Sequence, residues 1–139
     1  MPEGRTLVAG HASGLALVLE EPLSFWGGID PTTGALIDTH HPQRGASVTG
    51  RILIMPSGRG SSSSSYVLAE AIRAGTAPAA IVLREADGIV ALGAIVAREL
   101  YGTLVPVVVL GADAYASVVD GDAVVVEARD DGATVRPSA

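Results

Sequence analysis

The sequence predicts an α/β domain with a parallel β-α-β-α-β core and flanking strands that form a second small sheet or a barrel-like layer. Three observations predict it. Short apolar runs (Ile52-Leu53-Ile54-Met55, Ala79 to Leu83, Pro106 to Leu110) alternate with two segments of helical spacing. Strands that read as near-continuous apolar runs belong to parallel sheets covered by helices. Glycine-punctuated strand pieces stand at both ends of the chain. The 139 residues fit a single domain spanning 1–139, and 48% hydrophobic against 17% charged residues excludes a disordered chain.

The elements follow in order. Leu7-Val8-Ala9 and residues 15–19 read as two short strands, with Gly10 and Gly14 as punctuation. Glu20-Glu21-Pro22 ends the second. Residues 24–34 form a loop holding the sole Phe and the sole Trp, with Asp30-Pro31 and the glycines marking turns. Residues 35–38 read as another short strand, and 39–45 as another loop. A strand over 47–55 then runs into the polar loop Pro56-Ser57-Gly58-Arg59-Gly60-Ser61. Tyr66, Val67, Leu68, Ala71 and Ile72 keep helical spacing, and Gly75 closes that helix. Residues 79–83 form a buried strand, 88–101 a helix ended by Gly102, and 106–110 a third apolar strand. A short helix over 113–119 is capped by Asp113 or its predecessors. Residues 123–128 and 134–136 make a hairpin through Asp131-Gly132. Right-handed crossovers restrict how the parallel strands connect.

Composition removes several functions. A net charge of −6 argues against electrostatic binding of nucleic acid, which needs clustered cations. The chain has no Cys, hence no disulfide, thiolate metal site or cysteine nucleophile. All its basic side chains except histidine are Arg, so lysine Schiff bases and a P-loop lysine are excluded. No apolar run approaches the roughly 20 residues of a membrane helix. No signal-peptide pattern follows Met1. These readings suit a cytoplasmic protein without membrane contact.

Gly58-Arg59-Gly60-Ser61 lies where a buried strand hands over to a helix. Ligands of open α/β sheets collect at the carboxyl ends of strands. A helix start offers N–H donors and partial positive charge, and Arg59 adds a planar cationic fork. The glycines allow close backbone approach. The result is an anion-binding corner lined with hydroxyls, although one of Ser61 to Ser63 is also a natural helix cap. The corner is neither a Walker loop nor a nucleophile elbow, since Lys and the G-x-S-x-G pattern are missing. His40 and His41 are adjacent, so on extended chain they point apart. That is poor geometry for one metal even with His11 and Asp38 added. One of the two orients a loop or reaches a ligand while the other faces solvent, and Asp38 suits a bond to its own loop backbone. Trp26 is either a core plug or an interface anchor.

An ordered set of segments carries a resemblance: residues 27–34 (Gly-Gly-Ile-Asp-Pro-Thr-Thr-Gly), 38–45 (Asp-Thr-His-His-Pro-Gln-Arg-Gly), 50–53 (Gly-Arg-Ile-Leu), 56–61, 77–83 and 92–97. The chain resembles the small, swivel-domain subunit of the aconitase X family over about residues 10–135. The resemblance implies the swivelling β/β/α domain shared with aconitase and isopropylmalate isomerase small subunits. It implies a separate large subunit that holds an iron–sulfur cluster or metal, an active site between the two, and dehydration of a small hydroxy acid. Bacterial members resemble cis-3-hydroxy-L-proline dehydratase and archaeal members mevalonate 5-phosphate dehydratase. The Arg-only, Ala-rich composition favours the first. A non-catalytic anion-binding or regulatory module is the alternative. Ser61 takes the place of the family's proton acceptor, with Arg59, Gly60, Ser62, Ser63 and His41 at the substrate. Serine at all of 61–65 departs from the family pattern and leaves Ser62 and Ser63 as rival bases. No metal is assigned to this chain. A serine hydroxyl is a weak base, so the role requires its alkoxide to be held by helix N–H donors and Arg59 in a cleft closed to water.

Overall fold

The computed structural model of the protein describes residues 3–60 and 62–138. Seven strands close into one barrel, so the flanking strands form the barrel-like alternative rather than a separate sheet. β2 (Gly10–Val18), β3 (Ile52–Met55), β4 (Ala80–Leu83) and β5 (Val107–Leu110) run parallel side by side. β1 (Glu3–Val8) pairs antiparallel with β5. β6 (Ala123–Arg129) and β7 (Gly132–Pro137) form the expected hairpin and close the ring between β2 and β1.

Strand alternation divides the apolar residues between two cores. Ile52, Ile54, Ala80, Val82, Val108 and Leu110 point into the barrel, where they meet Val124, Val126 and Val135. A kinked helical turn, α1 (Phe25–Gly28), lies within the segment expected to be loop. Leu53, Met55, Ile81, Leu83 and Val107 point outward and are covered by α2 (Ser63–Ala74) and α3 (Gly88–Tyr101). Both faces of β3 and β4 are therefore buried, which accounts for their unbroken apolar sequences. The two helices touch closely because Gly93 has no side chain. A Cβ there would stand 2.8 Å from the Ser65 carbonyl oxygen.

Several expectations are corrected. Only Ile52–Met55 of the run 47–55 is strand, because Gly50 turns the chain at φ +68° just before it. Residues 35–38 make isolated bridges, Ile29 to Leu36 and Ala35 to Ser47, in a segment that wraps over the outer core. Helix α2 begins at Ser63, ahead of its apolar stripe, and ends at Gly75 in the left-handed conformation as expected. The short α4 (Ala112–Ala116) starts after Gly111 without a side-chain cap, so Asp113 lies in its first turn and does not cap it.

Candidate functional site

The carboxyl ends of β2, β3 and β4 carry three loops that converge. After β3, Pro56 turns the chain, and its carbonyl accepts from the N–H groups of Arg84 and Glu85 beyond β4. Gly58 bridges to Leu23, and the Arg59 N–H donates to the Leu23 carbonyl at 3.2 Å. The loop is thus pinned on two sides before it enters α2. Gly58 is needed there: a Cβ would fall 2.3 Å from Asp87 Oδ2 and 2.9 Å from Val90 Cγ2. Gly60 takes φ +98°, which side chains disfavour, and a Cβ would also meet Ser24 Oγ at 2.7 Å. The two glycines of the Gly-Arg-Gly run therefore have separate steric reasons.

Ser61, the residue expected to act as the base, lies outside the described residues; by sequence it joins Gly60 to Ser62, the N-cap of α2. The Ser62 side chain makes no capping hydrogen bond and is exposed, although its carbonyl accepts from Ser65 N and from Ser65 Oγ at 2.8 Å. Ser63 is exposed in the first turn of the helix. Ser64 turns inward instead. It is buried, its Oγ lies 3.1 Å from Ser24 Oγ, and it accepts from the Trp26 N–H at 3.2 Å. The serine run thus combines exposed hydroxyls with a structural one.

Arg59 is half-exposed at the rim. Its Nη2 reaches Asp38 Oδ2 at 3.4 Å, and Asp38 Oδ1 accepts from the His40 N–H at 2.9 Å. His41 is 4% exposed. Its Nδ1 accepts from the Gln43 N–H at 3.0 Å, which leaves Nε2 as the donor to the Glu21 carbonyl at 3.2 Å. With both ring nitrogens taken, His41 holds the loop and is not presented to a ligand. His41 is thus the member of the pair that orients the loop. His40, its neighbour, is exposed. Gln43 completes the anchor, donating to the Val18 carbonyl and accepting from the Glu20 N–H, both at 2.8 Å.

Trp26 is 59% exposed while Phe25 beside it is fully buried, so Phe25 is the core plug and Trp26 stands at the surface next to the loop. Asp87, which sequence reasoning passed over, caps α3 by accepting from the Ile89 and Val90 N–H groups and packs its other oxygen against Gly58. The Asp-Gly pair ahead of an apolar helical run was the available signal. Beneath the loop the cavity bounded by Phe25, Gly58, Ser64 and Asp87 holds only about 10 Å³, room for about one water. A hollow of about 500 Å³ lies elsewhere, on the outer face of β6 and β7 beside Arg129 and Arg136. Among the described residues no group of three or more His, Asp or Glu is placed to hold a metal ion, and no helix is long and apolar enough to cross a membrane.

This architecture and loop match known proteins. The family model of the aconitase X swivel domain covers residues 1–135. The chain belongs to the aconitase X swivel-domain family. It is 57% identical over 107 residues to a cis-3-hydroxy-L-proline dehydratase of Pseudomonas aeruginosa, a match that covers 77% of this chain and 18% of that protein. The chain thus spans less than a fifth of the cis-3-hydroxy-L-proline dehydratases it matches. It is 47% identical over 95 residues to the phosphomevalonate dehydratase small subunit of Thermococcus sibiricus, covering 68% of this chain and 73% of that one. The crystal structure of Thermococcus kodakaraensis aconitase X in its holo-form superposes with a TM-score of 0.84 at 36% identity, over 96% of both chains. The swivel-domain fold expected from the sequence is the fold observed. These relatives are dehydratases or dehydratase subunits by name.

Proposed function

We propose that the chain is the swivel subunit of a two-part hydro-lyase that dehydrates cis-3-hydroxy-L-proline, with Ser61 as the base and Arg59 as the anion clamp. The observation that carries the reading is the strand–Gly-Arg-Gly–helix corner itself. Arg59 stands at its rim, exposed serines open α2, and Ser62 does not use its hydroxyl as a cap. Removing water from a hydroxy acid needs a base at the carbon that bears the acidic proton and an acid at the departing hydroxyl. A serine hydroxyl serves as base only where N–H dipoles and a cation stabilise its alkoxide and water is excluded. The helix start and Arg59 supply the charge. Exclusion of water falls to a partner, since Arg59, Gly60, Ser62 and Ser63 stand open to solvent. Exposed Trp26, beside the same loop, suits the surface where that partner closes.

A cluster or metal acting on the leaving hydroxyl belongs to the large subunit. This chain has no Cys, and its described His, Asp and Glu residues do not gather into a ligand set. The substrate assignment rests on the 57% identity to the proline dehydratase against 47% to the phosphomevalonate dehydratase subunit. Mevalonate 5-phosphate is the second reading, because Arg59 suits a phosphate as well as a carboxylate.

The test is reconstitution with the large subunit and assay of both substrates in parallel. Dehydration of cis-3-hydroxy-L-proline by the pair, none by the chain alone, and a loss of at least about 1,000-fold in kcat on Ser61→Ala are the expected results. Full activity of Ser61→Ala, with Ser62→Ala or Ser63→Ala dead, moves the base along the run. Activity on neither substrate returns the chain to an anion-binding module.

A further inference from the structure

We propose that Asp38 is a positioning residue that sets the guanidinium of Arg59 for the substrate anion. The inference rests on the reading of Arg59 as the anion clamp. Asp38 is itself held on two levels. Its Oδ1 accepts from the His40 N–H at 2.9 Å, an Asx turn that fixes the carboxylate against its own backbone. The loop behind it is tied to the end of β2 by Gln43 and to Glu21 by buried His41. Its free oxygen, Oδ2, is the one that meets Arg59 Nη2 at 3.4 Å. The Asp38 side chain is 21% exposed and that of Arg59 is 49% exposed, so the anchored acid is the fixed partner and the long cation the one being placed.

An exposed ion pair adds little to stability, because side-chain entropy and solvent screening offset its attraction. It does restrict where an otherwise mobile fork sits, which is what recognition of a planar carboxylate or a phosphate needs. Asp38 engages one terminal nitrogen of a guanidinium that carries five N–H donors, so the others remain for an incoming anion. The two oxygens of Asp38 thus divide the work: one holds the loop and one holds Arg59.

That division makes Asp38→Asn a clean probe. The amide oxygen keeps the bond from the His40 N–H, while the group turned to Arg59 loses its charge and becomes a donor. In the reconstituted enzyme the variant is expected to raise KM about five-fold with kcat within about two-fold, and to leave the melting temperature unchanged. Asp38→Glu restores part of the KM. A double-mutant cycle separates the alternatives. If Asp38 acts through Arg59, Asp38→Asn has no further effect in an Arg59→Ala background. An additive cycle, or a KM that falls because Asp38 competes with the substrate for the guanidinium, overturns the positioning role alone. Arg59→Ala with unaltered kinetics overturns the anion clamp itself and removes the object of the positioning. Independently of any substrate, the Arg59 Nε–H resonance of the ¹⁵N-labelled full chain is expected to shift on Asp38→Asn. An unmoved resonance also overturns the pair.

Discussion

Ser64 shows how one residue type takes unlike tasks over a few positions. Its hydroxyl is buried between Ser24 Oγ and the Trp26 N–H, tying the start of α2 to the segment that carries Trp26. Replacing Ser64 by Ala leaves the Trp26 N–H without that acceptor, and the loss is about 1 kcal/mol. A urea titration checks it: the midpoint falls while the slope stays constant, and an unchanged midpoint contradicts the role. Sequence alone shows five serines in a row. It does not show which of them turns inward, because that choice depends on Ser24, forty residues away. The pairing of Asp38 with Arg59 was hidden for the same reason: the Asx turn of Asp38 is local and legible, but its partner lies 21 residues on. The sequence left open which histidine of the pair orients the loop; burial and two hydrogen bonds make it His41, a choice set by Glu21 twenty residues back.

At the scale of elements, legibility follows how local the deciding physics is. Helix α3 was readable to its ends because its apolar spacing begins at Gly88 and left-handed Gly102 closes it, although the Asp87 cap at its start went unread. β4 and β5 were readable because burial on both faces writes itself as apolar runs. β2 extends beyond its predicted stretch because residues 10–14 alternate between half-buried and exposed, and His11 and Ser13 disguise a strand whose outer face meets solvent. The prediction for this scale concerns the cap of α3. Asp87→Ala removes the acceptor of two N–H groups and a contact of the Gly58 loop, and costs about 1–2 kcal/mol. Asp87→Asn keeps a capping oxygen and recovers most of that loss. A thermal melt in which the two variants are equally destabilised refutes the cap as the cause. Because Asp87 also packs on Gly58, kcat/KM of the reconstituted pair is expected to fall more for Ala than for Asn.

For the whole molecule, closing the barrel creates an apolar interior that must be stoppered where the parallel strands end. α4 follows β5 directly, and Ala114, Tyr115 and Val118 pack against the inner core. That leaves the ends of β2, β3 and β4 for the Arg59 loop, so stopper and candidate site divide one end of the barrel. The stopper has a measurable flaw. The Tyr115 hydroxyl is buried with no hydrogen-bond partner among the described residues. Burial pushes its pKa above the usual phenol range, and the charge of Arg84 offsets this only in part. A phenol with a raised pKa in the folded state favours the neutral form there. Its contribution to stability is therefore complete below the unfolded value of about 10 and is lost as pH rises through the folded pKa. Tyr115→Phe deletes both the ionisation and the orphan hydroxyl. At pH 7 the variant is expected to be as stable as the parent or more so, since no hydrogen bond is lost. Above pH 10 the parent loses stability faster than the variant, and the gap between the two widens as pH climbs. Urea midpoints from pH 7 to 11 read that gap directly. Parallel curves for the two proteins mean that Tyr115 ionises as freely in the folded chain as in the unfolded one, and that α4 does not seal the barrel.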